Sequence, residues 1–316
     1  MKTNKLSSIV AGIILLFANA STTKVAAQDL KGNISISGAF ALYPITVKWA
    51  EEFKKIHPGV KIDVQAGGAG KGITDVLSKV TDIGLVSRDL NPAEFKKGAY
   101  AVAVTKDAVI PTISATSPYR KVLYERGVKK DAFNHIFITG KYKTWNSLGF
   151  KSEAPIHVYT RSDAAGAAET WAKYFGKKQE DLQGVAVFGD PGLAQAVKRD
   201  PSGIGYNNIV YIYDTKSNKP INGVVPVPID LNNNGKLDPD ENFYDDINQV
   251  IAAIVAGKYP SPPARDLYYV TVGKPSNPIV KEFIKFILTD GQKYVTEAGY
   301  IKFSKEKLSK ELEKVK

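Results

Sequence analysis

There is no cysteine anywhere in the 316 residues. A disulfide framework is therefore excluded, and so is export as a protein anchored through a lipid-bearing cysteine. Histidine is scarce as well. His57, His135 and His157 have no metal-ligand spacing; His57 precedes a turn proline and the other two read as structural. No nucleophile elbow is present. With no catalytic constellation, the chain is not read as an enzyme, and no catalytic cofactor is expected. The apolar run Ile9–Ala18 is too short to span a bilayer comfortably. Lys2 and Lys5 precede it, and Ala18-Asn19-Ala20 and Val25-Ala26-Ala27 offer cleavage sites, so residues 1–27 read as a secretory signal. The mature chain is then expected to be a free soluble protein of the periplasm.

The 43 basic side chains outnumber the 32 acidic ones, a net charge of +11. That favours anionic partners, although scattered surface lysine accounts for it equally. The lysines form no stripe, so nucleic-acid binding is not expected. The length suits one large or two medium domains.

Strand–turn–helix units recur. Lys31–Ser37 alternates apolar and polar residues as a strand, Gly38–Tyr43 turns, and Pro44 opens a helix running to His57. Val60–Gln65 is the next strand. It empties into Gly67-Gly68-Ala69-Gly70-Lys71-Gly72, followed by a helix over Ile73–Lys79. This is not a P-loop, which would need glycine at Gln65 and Ser or Thr at Gly72. Bare amides before a helix do make an anion cradle. Asp82–Leu90 is a short buried strand ending in Ser87 and Arg88; Arg88 is either a basic group for the same pocket or a surface ion pair with Asp89.

The most informative turn is Arg161–Ala167. The strand Ile156–Thr160 leads into it, and a helix over Ala168–Phe175 leaves it, stopped by Gly176. Arg161 sits at the strand end and Gly166 near the helix start, where free N–H groups and the helix dipole suit an anion. Arg161 adds a fixed charge and a planar donor fork, and Asp163 is placed to hold its rotamer. A solvated arginine in an ordinary turn is the alternative.

Between and after these units, residues 99–114 read as two buried strands crossing to a second lobe, and 121–139 as mixed helix and strand. Trp145, Tyr206, Tyr211 and Tyr213 could line a cleft but read more readily as core or rim. Asn242–Ala256 reads as a helix, Pro260–Pro263 as a hinge, and Leu267–Val272 as a strand returning to the first lobe.

Residues 230–241 match the twelve-residue calcium loop of an EF-hand. Asp230, Asn232, Asn234, Asp238 and Glu241 fall at positions 1, 3, 5, 9 and 12, Gly235 at the sharp turn, and Lys236 supplies a carbonyl. Pro226 and Pro228 exclude an entering helix, so this is a calcium loop without a full EF-hand, suited to a structural Ca2+ ion. A metal-free polar turn is the alternative.

Together these stretches resemble the periplasmic phosphate-binding proteins of ABC importers. The similarity runs from about residue 32 to 303 and is carried by SGAFALYPITVKWAEEFKK (37–55), GGAGKGI (67–73), DIGLVSRDL (82–90), RSDAAGA (161–167), GIGYNN (203–208), ARDLYYVTVGKP (264–275) and FILTDGQKYVTEAGYI (286–301). The resemblance implies an α/β fold of two lobes, each a mixed sheet flanked by helices, joined by a hinge of crossing strands. Lobe I would hold 28–110 and 262–316, and lobe II 111–261. It implies a clamp on phosphate or another small oxyanion, an ABC permease as membrane partner, and a monomer. The implied ligand-binding residues are Ala39, Phe40, Ala41, Leu42, Ala69, Gly70, Ser87, Arg88, Arg161, Ala165, Gly166 and Ala167.

The sequence departs from the family at the ligand. Alanine stands at 39, 41, 69, 165 and 167, where the family usually offers hydroxyls. The backbone cradle and the arginine remain. An accessory module on the receptor scaffold, with altered or lost phosphate binding, is therefore the alternative reading.

Overall fold

The computed structural model describes residues 30–316; the expected signal segment 1–27 lies outside them. The chain begins with β1 (Gly32–Gly38), α1 (Tyr43–Ile56), β2 (Val60–Ala66), α2 (Ala69–Leu77) and β3 (Ile83–Val86). β1 pairs in parallel with β2 on one side and β3 on the other. Helix α2 starts within the glycine run, not after it. Gly72 of that run serves packing: a Cβ on it would stand 2.5 Å from the Leu85 carbonyl oxygen and 2.9 Å from the Gly38 Cα. Helix and sheet approach so closely here that no side chain fits between them.

A short helix, α3 (Pro92–Lys96), leads to β4, a single strand over Ala99–Ser114. Two strands are expected over 99–114, but one forms, and Asp107 lies inside it. It does not break the strand, because its carboxylate is buried against Arg265, with Nε–Oδ1 at 2.8 Å. Lobe II continues with α4 (Arg120–Arg126), β5 (Val128–Lys129), α5 (Lys130–Phe137), β6 (His157–Arg161), α6 (Gly166–Tyr174), β7 (Val185–Val187), α7 (Gly189–Arg199), β8 (Gly203–Asn208), β9 (Val224–Pro226), β10 (Ile229–Asp230) and α8 (Ile247–Val255). Helix α8 starts later than expected. The Asp246 side chain accepts the Asn248 N–H and caps it, while Phe243 and Tyr244 ahead of it are buried in the core.

The chain returns through β11 (Ala264–Val272), α9 (Pro278–Leu288) and α10 (Lys305–Glu313). β11 lies antiparallel between β3 and β4. Residues 99–108 of β4 pair with β11, and 109–113 pair with β8. One strand thus changes partners at Ala108/Val109 and makes the sheets of both lobes continuous, in the order β2-β1-β3-β11-β4-β8-β6-β7 with β9 also on β4. Two hydrophobic cores flank this crossing. One gathers Trp49, Phe53, Tyr269 and Phe283. The other gathers Trp145, Trp171, Tyr206 and Tyr213, so these aromatics are core.

Candidate functional site

The β6–α6 turn of lobe II meets three turns of lobe I. The Arg161 guanidinium lies 5.5 Å from the centroid of the Phe40 ring, which comes from the β1–α1 turn. From the start of α2, the Gly70 N–H donates to the Ala164 carbonyl at 2.9 Å. A Cβ on Gly68, whose φ is +91°, would stand 2.5 Å from Asp163 Oδ2. After β3, the Ser87 hydroxyl faces Gly166, whose added Cβ would lie 2.2 Å from Ser87 Oγ. The Tyr211 hydroxyl donates across the cleft to the Phe40 carbonyl at 3.0 Å. Phe40, Gly70, Ser87, Arg161 and Gly166 are therefore brought together.

Arg161 is 4 % exposed and held by two carboxylates. Nε and Nη2 donate to Asp163 at 2.9 and 2.6 Å, and Nη1 donates to Asp190 at 2.5 Å. Burial alone would lower the Arg161 pKa, but Asp190 and Asp163 hold it above its ordinary value. Asp190 sits at the start of α7, 3 % exposed. Burial pushes its carboxyl up, against the opposing pull of Arg161 and Arg265. The network continues toward the hinge. Asn208 Nδ2 donates to Asp190, and Asn208 Oδ1 accepts from Arg265. Arg265 is fixed on Asp107, its register partner across β4 and β11.

Helices α1, α2 and α6 share one property: their N-caps, Leu42, Gly68 and Ala165, make no side-chain cap. The alanines at 39, 41, 69 and 167 offer no oxygen either, and all of these side chains are buried. Each helix therefore opens on N–H groups left to find other partners. Some have one: Ala39 N–H goes to Leu85 O and Ala165 N–H to Gln179 Oε1, both at 2.9 Å. The N–H groups of Phe40 and Ala41 make no hydrogen bond among the described residues. The turn is also pinned from behind. Gln179 Nε2 donates to the Asp163 carbonyl at 2.6 Å, and Gly189 N–H donates to Asp163 Oδ1 at 3.1 Å.

Arg88 does not join the group. Its fork grips Glu94, Nη1–Oε2 at 3.0 Å and Nη2–Oε1 at 2.6 Å. Glu94 is itself fixed by a capping box with Asn91. Arg88 instead lines a cavity of about 320 Å³ with Lys106, Lys173 and Arg265. None of five prominent cavities reaches Arg161, because lobe I closes directly onto the β6–α6 turn. Asp190 and Gln179 are site residues that local sequence did not single out. The nearest signal for Asp190 is its place at one more strand–helix turn.

A chemical reading follows from this geometry. A buried, preoriented guanidinium beside uncapped helix starts recognises negative charge through planar N–H donors and backbone amides.

A family model described as a PBP superfamily domain matches residues 20–291. The chain is 28 % identical to the phosphate-binding protein PstS of Bacillus subtilis, covering 98 % of both chains. It is 26 % identical to that of Pseudomonas aeruginosa, over 87 % of this chain and 84 % of the relative. Among solved structures it resembles a putative phosphate ABC transporter substrate-binding protein with bound phosphate from Clostridium perfringens. That match has a TM-score of 0.70 at 25 % identity and covers 86 % of this chain and 100 % of the other. With two lobes on one shared strand and the family model matched over most of its length, the chain belongs to the PBP superfamily domain family.

Proposed function

We propose that this chain is an extracytoplasmic substrate-binding protein that closes its lobes on phosphate or a related oxyanion and delivers it to an ABC permease. It acts as a monomer and leaves the ligand chemically unchanged. The observation that carries this reading is Arg161, buried where the two lobes meet and surrounded by uncapped helix starts. Phosphate is the first choice because relatives covering most of the chain are named for it.

Arg161 has five N–H donors, and three are taken by Asp163 and Asp190. One on each terminal nitrogen remains for an anion. With both carboxylates ionised, the trio is net negative. A protonated Asp190, which burial favours, brings it to zero. The β4–β11 crossing is the hinge about which the lobes part to admit the ligand. Binding is weaker than in a site rich in hydroxyls, since each missing hydrogen bond to a charged group is worth about 1.5–3 kcal/mol.

A second reading, an accessory module with no oxyanion ligand, is favoured by one observation. Asp163 and Asp190 already satisfy Arg161 as an anion would. Titration calorimetry on phosphate-stripped protein separates the two. The transport reading expects one-to-one binding of phosphate. It also expects an Arg161→Lys variant, which keeps the charge and loses the fork, to bind at least about tenfold more weakly. Wild-type protein that takes up neither phosphate nor sulfate leaves the module reading in place.

A further inference from the structure

The loop at 230–241 takes no part in the interlobe site, yet it is built around a buried charge. Asp230 is 1 % exposed at the end of β10, which pairs in parallel with β5. Its Oδ2 accepts the Gly235 N–H at 2.8 Å. That bond turns the carboxylate into the winding of the loop. Its Oδ1 is buried and has no hydrogen-bond partner among the described residues. A carboxylate oxygen shut away from both water and donors is costly, and a cation removes that cost.

The other oxygens of the alternating pattern are close by. Asn232 Nδ2 and Asn234 Nδ2 both donate to Asp238 Oδ2, at 2.8 and 2.7 Å. These three side chains are thereby gathered on the same side of the loop. Their amide oxygens accept the Asn234 and Lys236 N–H groups and keep a second lone pair each. The Glu241 carboxylate, also buried, reaches back to the Leu231 and Asn232 N–H groups beside Asp230. Among the described residues no three His, Cys, Asp or Glu side chains form a metal site by themselves. The ion must then draw on amide and carbonyl oxygens as well, a hard all-oxygen set that suits calcium over zinc or copper.

We propose that residues 230–241 bind one calcium ion, with Asp230 Oδ1 as its first ligand and Asn232, Asn234, Asp238, Glu241 and the Lys236 carbonyl completing the shell. The ion cross-braces lobe II. The loop is anchored to α4 through the Leu237 N–H on the Glu125 carbonyl, at 3.0 Å, and to β5 through β10. Calcium therefore ties three segments that are distant in sequence, away from the anion site.

The test is calcium titration calorimetry on chelator-treated full-length protein, with a thermal melt in chelator and in excess calcium. The expected result is one ion per chain with a dissociation constant of about 0.1–1 mM, as in extracellular calcium modules, and a higher melting midpoint with calcium. Asp230→Asn should abolish the calorimetric signal. Asp238→Asn, at a half-exposed position that does not threaten folding, should weaken it at least about tenfold. A wild-type chain with no heat at about 10 mM calcium overturns the proposal, as does binding that persists unchanged in both variants.

Discussion

The Arg161 guanidinium rests over the ring of Phe40, 5.5 Å from its centroid, and the two residues belong to opposite lobes. The same ring meets Phe188 edge-on at 5.8 Å. A Cβ on Gly189, whose φ is +75°, would touch it at 3.0 Å. One aromatic side chain of lobe I thus seals the charged centre of lobe II.

Replacing that ring loosens the seal. Phe40→Ala removes a cation–π contact and an edge-to-face pair at a half-buried position. A loss of about 1–3 kcal/mol in unfolding free energy is expected, read from the urea midpoint. Phosphate affinity should fall with it, because the Arg161 side chain loses its wall.

Restoring oxygens should have the opposite effect. Ala69→Ser and Ala165→Ser place hydroxyls at the starts of α2 and α6, where the N-caps make no side-chain bond. Each is expected to raise phosphate affinity about tenfold, measured by calorimetry, if it reaches the bound anion. Ala165→Ser stands at the N-cap itself and should also add about 0.5–2 kcal/mol of stability. Unchanged affinity in both variants would place the anion elsewhere.

Asp190 gives the site a pH dependence. Its folded-state pKa is raised above 3.8 by burial. Its contribution to stability is therefore fully present below the ordinary carboxylate range and is lost as pH rises through the raised value. The charge beside Arg161 becomes more negative over the same interval. Sulfate, which does not titrate there, should bind progressively more weakly as pH rises through that raised value. In Asp190→Asn that slope should flatten. A slope of equal size in the variant would assign the titration to another group.

Local chemistry explains what was legible in advance. The Arg161–Asp163 pair spans two positions, and the first two βα turns carry their own strand ends and helix starts, so both could be read from short stretches. Asp190 could not, because its partners Arg161 and Asn208 lie 29 and 18 residues away and meet it only through the packing of α7. Local sequence leaves Arg88 between the pocket and a pair with Asp89; the structure pairs it with Glu94, a partner written nearby. Asn91-Pro92-Ala93-Glu94 is a capping-box sequence that puts a carboxylate within its reach. The glycine run invited an anion cradle. Its glycines also serve close approach, Gly72 to β1 and β3 and Gly68 and Gly70 to the β6–α6 turn, which spacing alone does not reveal.

The partner exchange along β4 also sets an order in time. The core of lobe II draws almost wholly on residues 108–264, joined by Ile301. The core of lobe I spans Ile34 to Val315. Near the C-terminus, Glu311 accepts the Ala103 N–H and the Lys314 carbonyl accepts the Tyr100 hydroxyl. A chain that appears N-terminus first therefore supplies the opening strands of lobe I early but completes that lobe last. The later lobe in sequence is the earlier one to be finished, and losing the final dozen residues would strike the half of the molecule in which the described chain begins.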